Sequence, residues 1–140
     1  IRDLLPRIAQ RYGFGEVPID VAPAIPTPVR IDKLRFERIL ANLLENAREH
    51  GGGPIRVSLA VRGRGGMMLA VDDAGPGVAR GERTRIFERF ARGSAARHRV
   101  GTGLGLALVA EHAQAHGGEA WVEDRPGGGA RFIVSLAEAW

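Results

Sequence analysis

The sequence predicts a two-layer α/β (α+β) sandwich, in which helices cover one face of a mixed, mostly antiparallel sheet. Pairs of strand-like segments alternate with helical segments in the order α-β-β-α-β-β-α-α-β-β, which is typical of helices packed on one side of a sheet. The length of 140 residues suits a single domain, residues 1–140, with one hydrophobic core.

Apolar residues at helical spacing predict three long helices. The first spans 4–12, and the last spans 102–116 before a pair of glycines. The second and strongest begins after Asp32, a favourable N-cap, and ends at the glycines of 51–53. Its apolar stripe comprises Phe36, Ile39, Leu40, Leu43, Leu44 and Ala47.

Short apolar segments bounded by glycine and proline predict the strands. These strands span 17–21, 29–31, 55–61, 67–73, 120–123 and 131–136. A short helix is expected over 82–87, and the small, polar and basic stretch 91–100 is predicted to be a mobile loop.

The composition excludes several classes of protein. Hydrophobic residues make up 44% and charged residues 26%, an ordinary globular mix, and no apolar run approaches the roughly 18 residues of a membrane span. Cysteine is absent, which excludes disulfides and cysteine-ligated metals. Seven arginines against two acids in 80–99 favour an anionic partner or a solvated loop, but no nucleic-acid motif is present.

Asn42 and Asn46, in the segment NLLENA, project from one face of the second helix because they are four residues apart. Amides on an otherwise apolar helix are costly to bury without partners. An amide oxygen is a good hard ligand for Mg²⁺, which usually also keeps waters and substrate phosphates. Taken alone, this pair would more simply face water.

The segment DAGPG ends the strand predicted over 67–73. Asp73 closes the strand, and Gly75 and Gly77 allow backbone to approach a ligand closely. A buried carboxylate at this position can accept a hydrogen bond from an exocyclic amine. An ordinary glycine turn is an equally good interpretation of this segment alone.

Two further segments precede and open the last helix. IFERF, residues 86–90, places Phe87 and Phe90 three apart, as an anchor for a lid or as two core aromatics. GTGLGL, residues 101–106, puts glycines at a helix N-terminus, where N–H groups and the helix dipole favour anions. A glycine pattern of this kind is a weak signal by itself.

Together, the order and spacing of these four segments resemble the N, G1, F and G2 boxes of the catalytic domain of bacterial two-component sensor histidine kinases. That domain belongs to the wider family that includes gyrase, heat-shock chaperones and mismatch-repair ATPases. The resemblance runs from about Asp32 to Leu136 and includes the closing segment GGGARFIVSL. It implies the Bergerat ATP-binding fold, with ATP and Mg²⁺ as cofactors.

The resemblance implies a role for each matching residue. Asn46 would coordinate Mg²⁺ between the ATP phosphates, with Asn42 supporting the site. Asp73 would bind the adenine amino group in a pocket shaped by Gly75 and Gly77. The phosphates would be cradled at the start of the last helix, by the segment comprising Gly101, Thr102, Gly103, Leu104, Gly105 and Leu106.

A lid over the nucleotide is implied for about 78–100, seated by Phe87 and Phe90. Arg89 or Arg92 is expected to reach the phosphates, and the sequence does not choose between them. Family members often carry a lysine three residues after the metal asparagine. Glu49 occupies that position here, so either the neighbouring Arg48 substitutes or the contact is missing.

The implied reaction is phosphoryl transfer from ATP to a histidine nitrogen, which depends on positioning and charge neutralisation. In the family's water-activating ATPases, a glutamate four residues before the metal asparagine is the base. Asn42 holds that position here, and an amide cannot accept the proton. Glu45 lies about 100° round the helix from Asn46 and is therefore not expected to act as the base. The sequence thus favours a kinase over an ATPase.

The phosphoacceptor pattern, a histidine followed by an acid and later a proline, is absent after His50, His98, His112 and His116. The acceptor is expected on a separate dimerisation domain, to which residues 1–12 would connect, and a response regulator would be the partner of the full-length protein. We expect an isolated monomer without membrane or nucleic-acid contact, on the cytoplasmic side of a membrane-anchored parent.

Two other interpretations remain open at this point. An anti-sigma-factor-type serine kinase has the same fold and size, although Asn42 and the IFERF segment favour a histidine kinase. A nucleic-acid-binding or partner-binding module with an inactive nucleotide site would fit the basic segment 80–99.

Overall fold

A computed structural model of the chain describes residues 1–26, 29–88 and 105–137. The helices are α1 (Leu4–Arg11), α2 (Lys33–His50) and α3 (Gly105–Ala115). The strands are β1 (Ile19–Val21), β2 (Pro54–Arg62), β3 (Gly66–Asp73), β4 (Ala120–Asp124) and β5 (Ala130–Leu136). Within the described ranges, no helix is both long and apolar enough to cross a membrane.

The described strands form one sheet in the order β1-β2-β3-β5-β4. β1 runs parallel to β2, and the other neighbouring strands are antiparallel. Val57, Leu69 and Val134 line one face of this sheet and share a single core with Leu40 of α2 and Val109 of α3. This arrangement confirms the predicted two-layer sandwich with helices on one face of a mixed, mostly antiparallel sheet.

Two predicted elements were wrong. Residues 29–31 do not form a strand, because they lead directly into the N-cap of α2 and border a groove at the end of α3. The helix expected over 82–87 is instead two 3-10 turns, Arg80–Glu82 and Arg85–Phe87. Between these turns, the Arg83 side chain donates to the Val78 carbonyl and to Asp124. These side-chain hydrogen bonds hold the segment where a continuous helix was expected.

The first helix is part of the core. Its buried residues are Leu5, Ile8 and Ala9. Arg11 and the Tyr12 hydroxyl both bind Glu37 of α2, the hydroxyl at 3.1 Å. Arg2, just before α1, donates at 2.9–3.3 Å to three carbonyl oxygens, those of Ala22, Pro23 and Ile25. The segment 1–12 is therefore integral to the fold, and its role as a connector stays a prediction.

The sequence of α2 accounts for its boundaries and its buried face. Asp32 adopts an extended conformation, and its Oδ1 accepts a hydrogen bond from the backbone N–H of Arg35 at 3.1 Å, as an N-cap does. The helix ends at Gly51, whose N–H donates to the Ala47 carbonyl. Every residue of the predicted apolar stripe is buried.

Replacing Leu40 with alanine tests how far the core depends on this stripe. Leu40 is fully buried, so Leu40→Ala is expected to lower the free energy of unfolding by about 2–5 kcal/mol through lost burial and the cavity left behind. Chemical denaturation measures the change. Leu34→Ala is the matched control, because Leu34 lies in the same helix and is 63% exposed. Equal losses in the two variants would contradict the observed packing.

Two histidines near the end of α3 accept hydrogen bonds from the start of α2. The backbone N–H of Asp32 donates to Nε2 of His116 at 3.2 Å, and Arg35 donates to Nδ1 of His112 at 3.3 Å. Nδ1–H of His116 in turn donates to the His112 carbonyl at 3.0 Å. Because a protonated ring nitrogen cannot accept a hydrogen bond, the contact with Arg35 requires a neutral His112.

This junction predicts sensitivity to acid. Burial, reinforced by the charges of Arg35 and Arg38, lowers the pKa of His112 below its ordinary value of 6.5. The unfolded chain therefore takes up this proton near pH 6.5, and the folded chain does so only at lower pH. The free energy of unfolding should fall as the pH drops from 6.5 through the folded pKa.

Denaturation curves measured across this pH range test the prediction. His112→Gln keeps an acceptor for Arg35 but has no titrating ring, so it should show a shallower loss of stability on acidification. Identical slopes in the variant and the parent protein would rule out His112 as the cause.

Candidate functional site

Asp73 ends β3 and is buried, with 2% of its surface exposed. Its Oδ1 accepts two hydrogen bonds of 3.0 Å, one from the N–H of Gly75 and one from the N–H of Ala130 at the start of β5. A buried carboxylate needs such donors, because its desolvation is costly without them. The two donors also fix the direction in which the carboxylate points.

Three glycines pack closely around Asp73 and around one another. A Cβ atom on Gly51 would lie 2.4 Å from Cγ of Asp73, and one on Gly129 would lie 2.0 Å from its carbonyl oxygen. A Cβ atom on Gly75 would lie 2.5 Å from Cα of Gly51. Real Cβ atoms do not occur at such distances, so a side chain at any of the three positions would force the neighbouring atoms to move.

Sequence reasoning identified only part of this arrangement. Gly75 packs closely against the backbone of Gly51, and Gly77 has a left-handed φ of +81°. The close approach of these two glycines to a ligand stays a prediction. In the sequence, Gly51 indicated only the end of a helix, and Gly129 was noted only as part of the closing segment GGGARFIVSL. A glycine that ends a helix looks the same in a sequence as one that contacts a carboxylate far along the chain, so no local signal separates the two.

Asn42 and Asn46 lie on α2, whose C-terminal end abuts Asp73 through Gly51. Both side chains are partly buried. A Cβ atom on Gly105, where the described part of α3 begins, would lie 3.8 Å from Oδ1 of Asn42. The C-terminal end of α2 therefore lies at the buried carboxylate, and Asn42, further back along the same helix, lies near the beginning of α3.

The IFERF segment contributes one anchor that the structure describes. The ring of Phe87 meets that of Phe132 edge-on, with centroids 6.2 Å apart, and the neighbouring Ile86 is buried in the core. The partly buried Leu106 also packs against this core. The other predicted ligand residues lie outside the described residues; they are Arg89, Phe90, Arg92, Gly101, Thr102, Gly103 and Leu104.

Arg48 has contacts away from the buried carboxylate. Its guanidinium lies 5.4 Å from the centre of the Phe14 ring and 3.7 Å from the carboxylate of Glu45. These contacts lie on a different side of α2 from Asn42 and Asn46, because Arg48 is two residues beyond Asn46. No described contact favours a phosphate ligand at Arg48, and that role stays a prediction.

Comparison with known proteins identifies the family. The sequence profile of the histidine kinase-, DNA gyrase B- and HSP90-like ATPases matches residues 31–139, and the chain belongs to this family. The sensor-type histidine kinase PrrB of Mycobacterium tuberculosis is 43% identical over 97% of this chain. The signal transduction histidine-protein kinase AfsQ2 of Streptomyces coelicolor is 44% identical over 78%. The chain spans 31% and 20% of these two relatives, respectively.

Solved structures agree with this family. The crystal structure of the ATP binding domain of PrrB from Mycobacterium tuberculosis superposes with a TM-score of 0.70 at 38% identity, covering 96% of this chain and 91% of that one. Full-length ShkA in complex with AMPPNP gives a TM-score of 0.71 at 32% identity, covering 98% of this chain and 28% of that one. The fold is therefore the Bergerat fold of histidine-kinase ATP-binding domains.

Gly51→Ala tests the packing around Asp73. Gly51 has an ordinary φ of −115°, so the added methyl group introduces no φ strain and acts by displacing the Asp73 side chain, whose Cβ and Cγ it would approach to 2.8 and 2.4 Å. We expect the free energy of unfolding to fall by about 1–3 kcal/mol as a buried hydrogen bond is lost. Gly81→Ala is the control, because a Cβ atom there meets open space. Equal stability of the two variants would show that the carboxylate adapts.

Proposed function

We propose that this chain is the ATP-binding catalytic domain of a sensor histidine kinase. It binds Mg-ATP and transfers the γ-phosphoryl group to a histidine on a separate dimerisation domain, in two-component signal transduction. The observation that carries the proposal is the buried Asp73 carboxylate, oriented by Gly75 and Ala130 at the end of α2, the helix that carries Asn42 and Asn46. Membership of the ATPase family supports it.

Asp73 recognises the base in this proposal. The 6-amino group of adenine is a hydrogen-bond donor, which a carboxylate accepts, whereas guanine presents an acceptor at the same position. Gly75 and Gly77 line the base pocket without side chains that would fill it. The phosphates lie at the start of α3 in this proposal, where the positive end of the helix dipole favours anions; the residues assigned to them are Gly101, Thr102, Gly103 and Gly105.

The donor set of α2 suits Mg²⁺. The described residues, 1–26, 29–88 and 105–137, contain no cluster of three or more histidine or acidic side chains able to hold a metal. Asn46 offers a hard amide oxygen, with Asn42 beside it, and Mg²⁺ is commonly held by few protein ligands together with nucleotide phosphates. When bound, the ion neutralises charge on the phosphoryl group during transfer.

The absence of a carboxylate at position 42 favours transfer over hydrolysis. Asn42 cannot accept the proton of an attacking water, and Glu45 is directed towards Arg48 on another side of α2. The chain therefore supplies binding and orientation, and the acceptor histidine supplies the nucleophile. A serine kinase of the anti-sigma-factor type is not favoured, since the relatives described above are histidine kinases.

The rest of the assembly follows from this proposal. The acceptor histidine lies on the dimerisation domain of the same kinase, and a response regulator receives the phosphoryl group from the full-length protein. The domain acts on the cytoplasmic side of a membrane-anchored parent and is a monomer by itself, without nucleic-acid or membrane contact.

Calorimetric titration with a non-hydrolysable ATP analogue and Mg²⁺ tests the nucleotide site. Asp73→Asn replaces an acceptor oxygen with a donor, so the affinity should fall by about 10- to 100-fold, the loss expected for a hydrogen bond to a charged group. Asp20→Asn is the control, because Asp20 lies at the sheet edge and is exposed. Equal affinity in both variants would exclude base recognition by Asp73.

Phosphoryl transfer is measured with labelled ATP. The chain alone should remain unlabelled, and adding the histidine-bearing domain should give an acid-labile product on that domain. An acid-stable product would instead support the serine kinase, and label on a histidine of this chain would contradict the proposal.

A further inference from the structure

Asp72 precedes the base-recognition aspartate and projects to the opposite face of β3, which the helices do not cover. Its carboxylate is nevertheless buried, with 8% of the side chain exposed. Arg131 of β5 binds both of its oxygens, at 2.7 and 3.1 Å, and Nε of Arg125 lies 3.9 Å from Oδ2. Such a two-point guanidinium contact fixes geometry as well as charge.

The two arginines flank the turn between β4 and β5. This turn contains three successive glycines, Gly127, Gly128 and Gly129, all with φ between +91° and +111°. Glycine loses more conformational freedom on ordering than any other residue, so this turn needs restraints. Arg125 supplies some of them, since its side chain donates to the Gly128 carbonyl at 2.9 Å and its backbone N–H donates to that of Gly129 at 3.1 Å.

The turn reaches the base site directly. The backbone of Gly129 packs against the Asp73 carbonyl so closely that a side chain would not fit. The next residue, Ala130, donates its N–H to Oδ1 of Asp73, and Arg131 follows at once. A short series of direct contacts therefore joins the carboxylate of Asp72 on one face of the sheet to that of Asp73 on the other.

We propose that Asp72 is a positioning residue for adenine recognition. Held by Arg125 and Arg131, it keeps the glycine turn in place, and the turn keeps the N–H of Ala130 on the carboxylate of Asp73. Without this restraint, Asp73 loses one of the donors that orient it towards the base. The inference rests on the proposed function, because it concerns the residue that would bind adenine.

The same face of the sheet provides a matched control. Asp20 of β1 pairs with Arg56 of β2 at 3.4 Å, and both side chains are more than half exposed. Arg56 lies opposite Asp72 in the sheet, but on the side of β3 away from β5 and the glycine turn. Asp20→Asn and Asp72→Asn thus make the same chemical change to an aspartate–arginine pair. A purely structural role for Asp72 would alter thermal stability without altering nucleotide binding by the folded protein.

Two measurements separate these roles, both made well below the unfolding temperature of each variant. Calorimetry gives the affinity for the ATP analogue. Asp72→Asn should lower this affinity about tenfold, the loss expected when one hydrogen bond to a charged group is disturbed. Asp20→Asn should leave the affinity unchanged. Hydrogen exchange gives the protection of the Ala130 amide, which should fall in Asp72→Asn alone. Asp72→Glu, which restores the charge, should recover part of both.

The outcomes are distinguishable. If the parent protein does not bind the analogue, the proposed function fails. If the parent protein binds and Asp72→Asn matches Asp20→Asn in affinity and in Ala130 protection, only the positioning role is overturned. Should Asp72→Asn not fold, Arg131→Lys keeps the positive charge beside Asp72 and removes the two-point contact that holds it. A weaker affinity with lower Ala130 protection in that variant supports the proposal, and an unchanged affinity overturns it.

Discussion

The burial of one carboxylate organises the part of the fold where α2, β3 and β5 meet. Asp73 is removed from water, so its desolvation must be offset by donors, and these come from Gly75 in its own turn and from Ala130 on β5. Gly51 and Gly129 pack so closely against this residue that a side chain at either position would clash with it. The end of α2, the end of β3 and the turn before β5 therefore meet at a single buried carboxylate.

The two neighbouring aspartates of β3 lie on opposite faces of the sheet and have different surroundings. On one side, Val71 and Leu69 pack under the helices, with Asp73 where this face ends. On the other side, Asp72 binds the arginines of β5 and of the adjoining turn. Because β3 lies at the centre of the sheet, these contacts fix its position relative to β5 without using the helix-covered face.

Local signals in the sequence predicted most of the fold. The periodicity and N-cap of α2 and the paired strands around glycine turns depend on neighbouring residues, and the structure confirms them. The prediction failed at residues 29–31, where β-branched residues lead into a helix cap and not into a sheet edge. Gly51 and Gly129 were missed as site residues, since their importance arises from contacts with Asp73 that only the tertiary structure creates.

The packing of α1 has a mechanical consequence. Leu5 and Ile8 are fully buried, Glu37 of α2 holds the end of α1, and Arg2 binds three carbonyl oxygens of the loop after β1. These contacts couple the two helices mechanically, so that a displacement of α1 would be passed on to α2, the helix that carries Asn42 and Asn46.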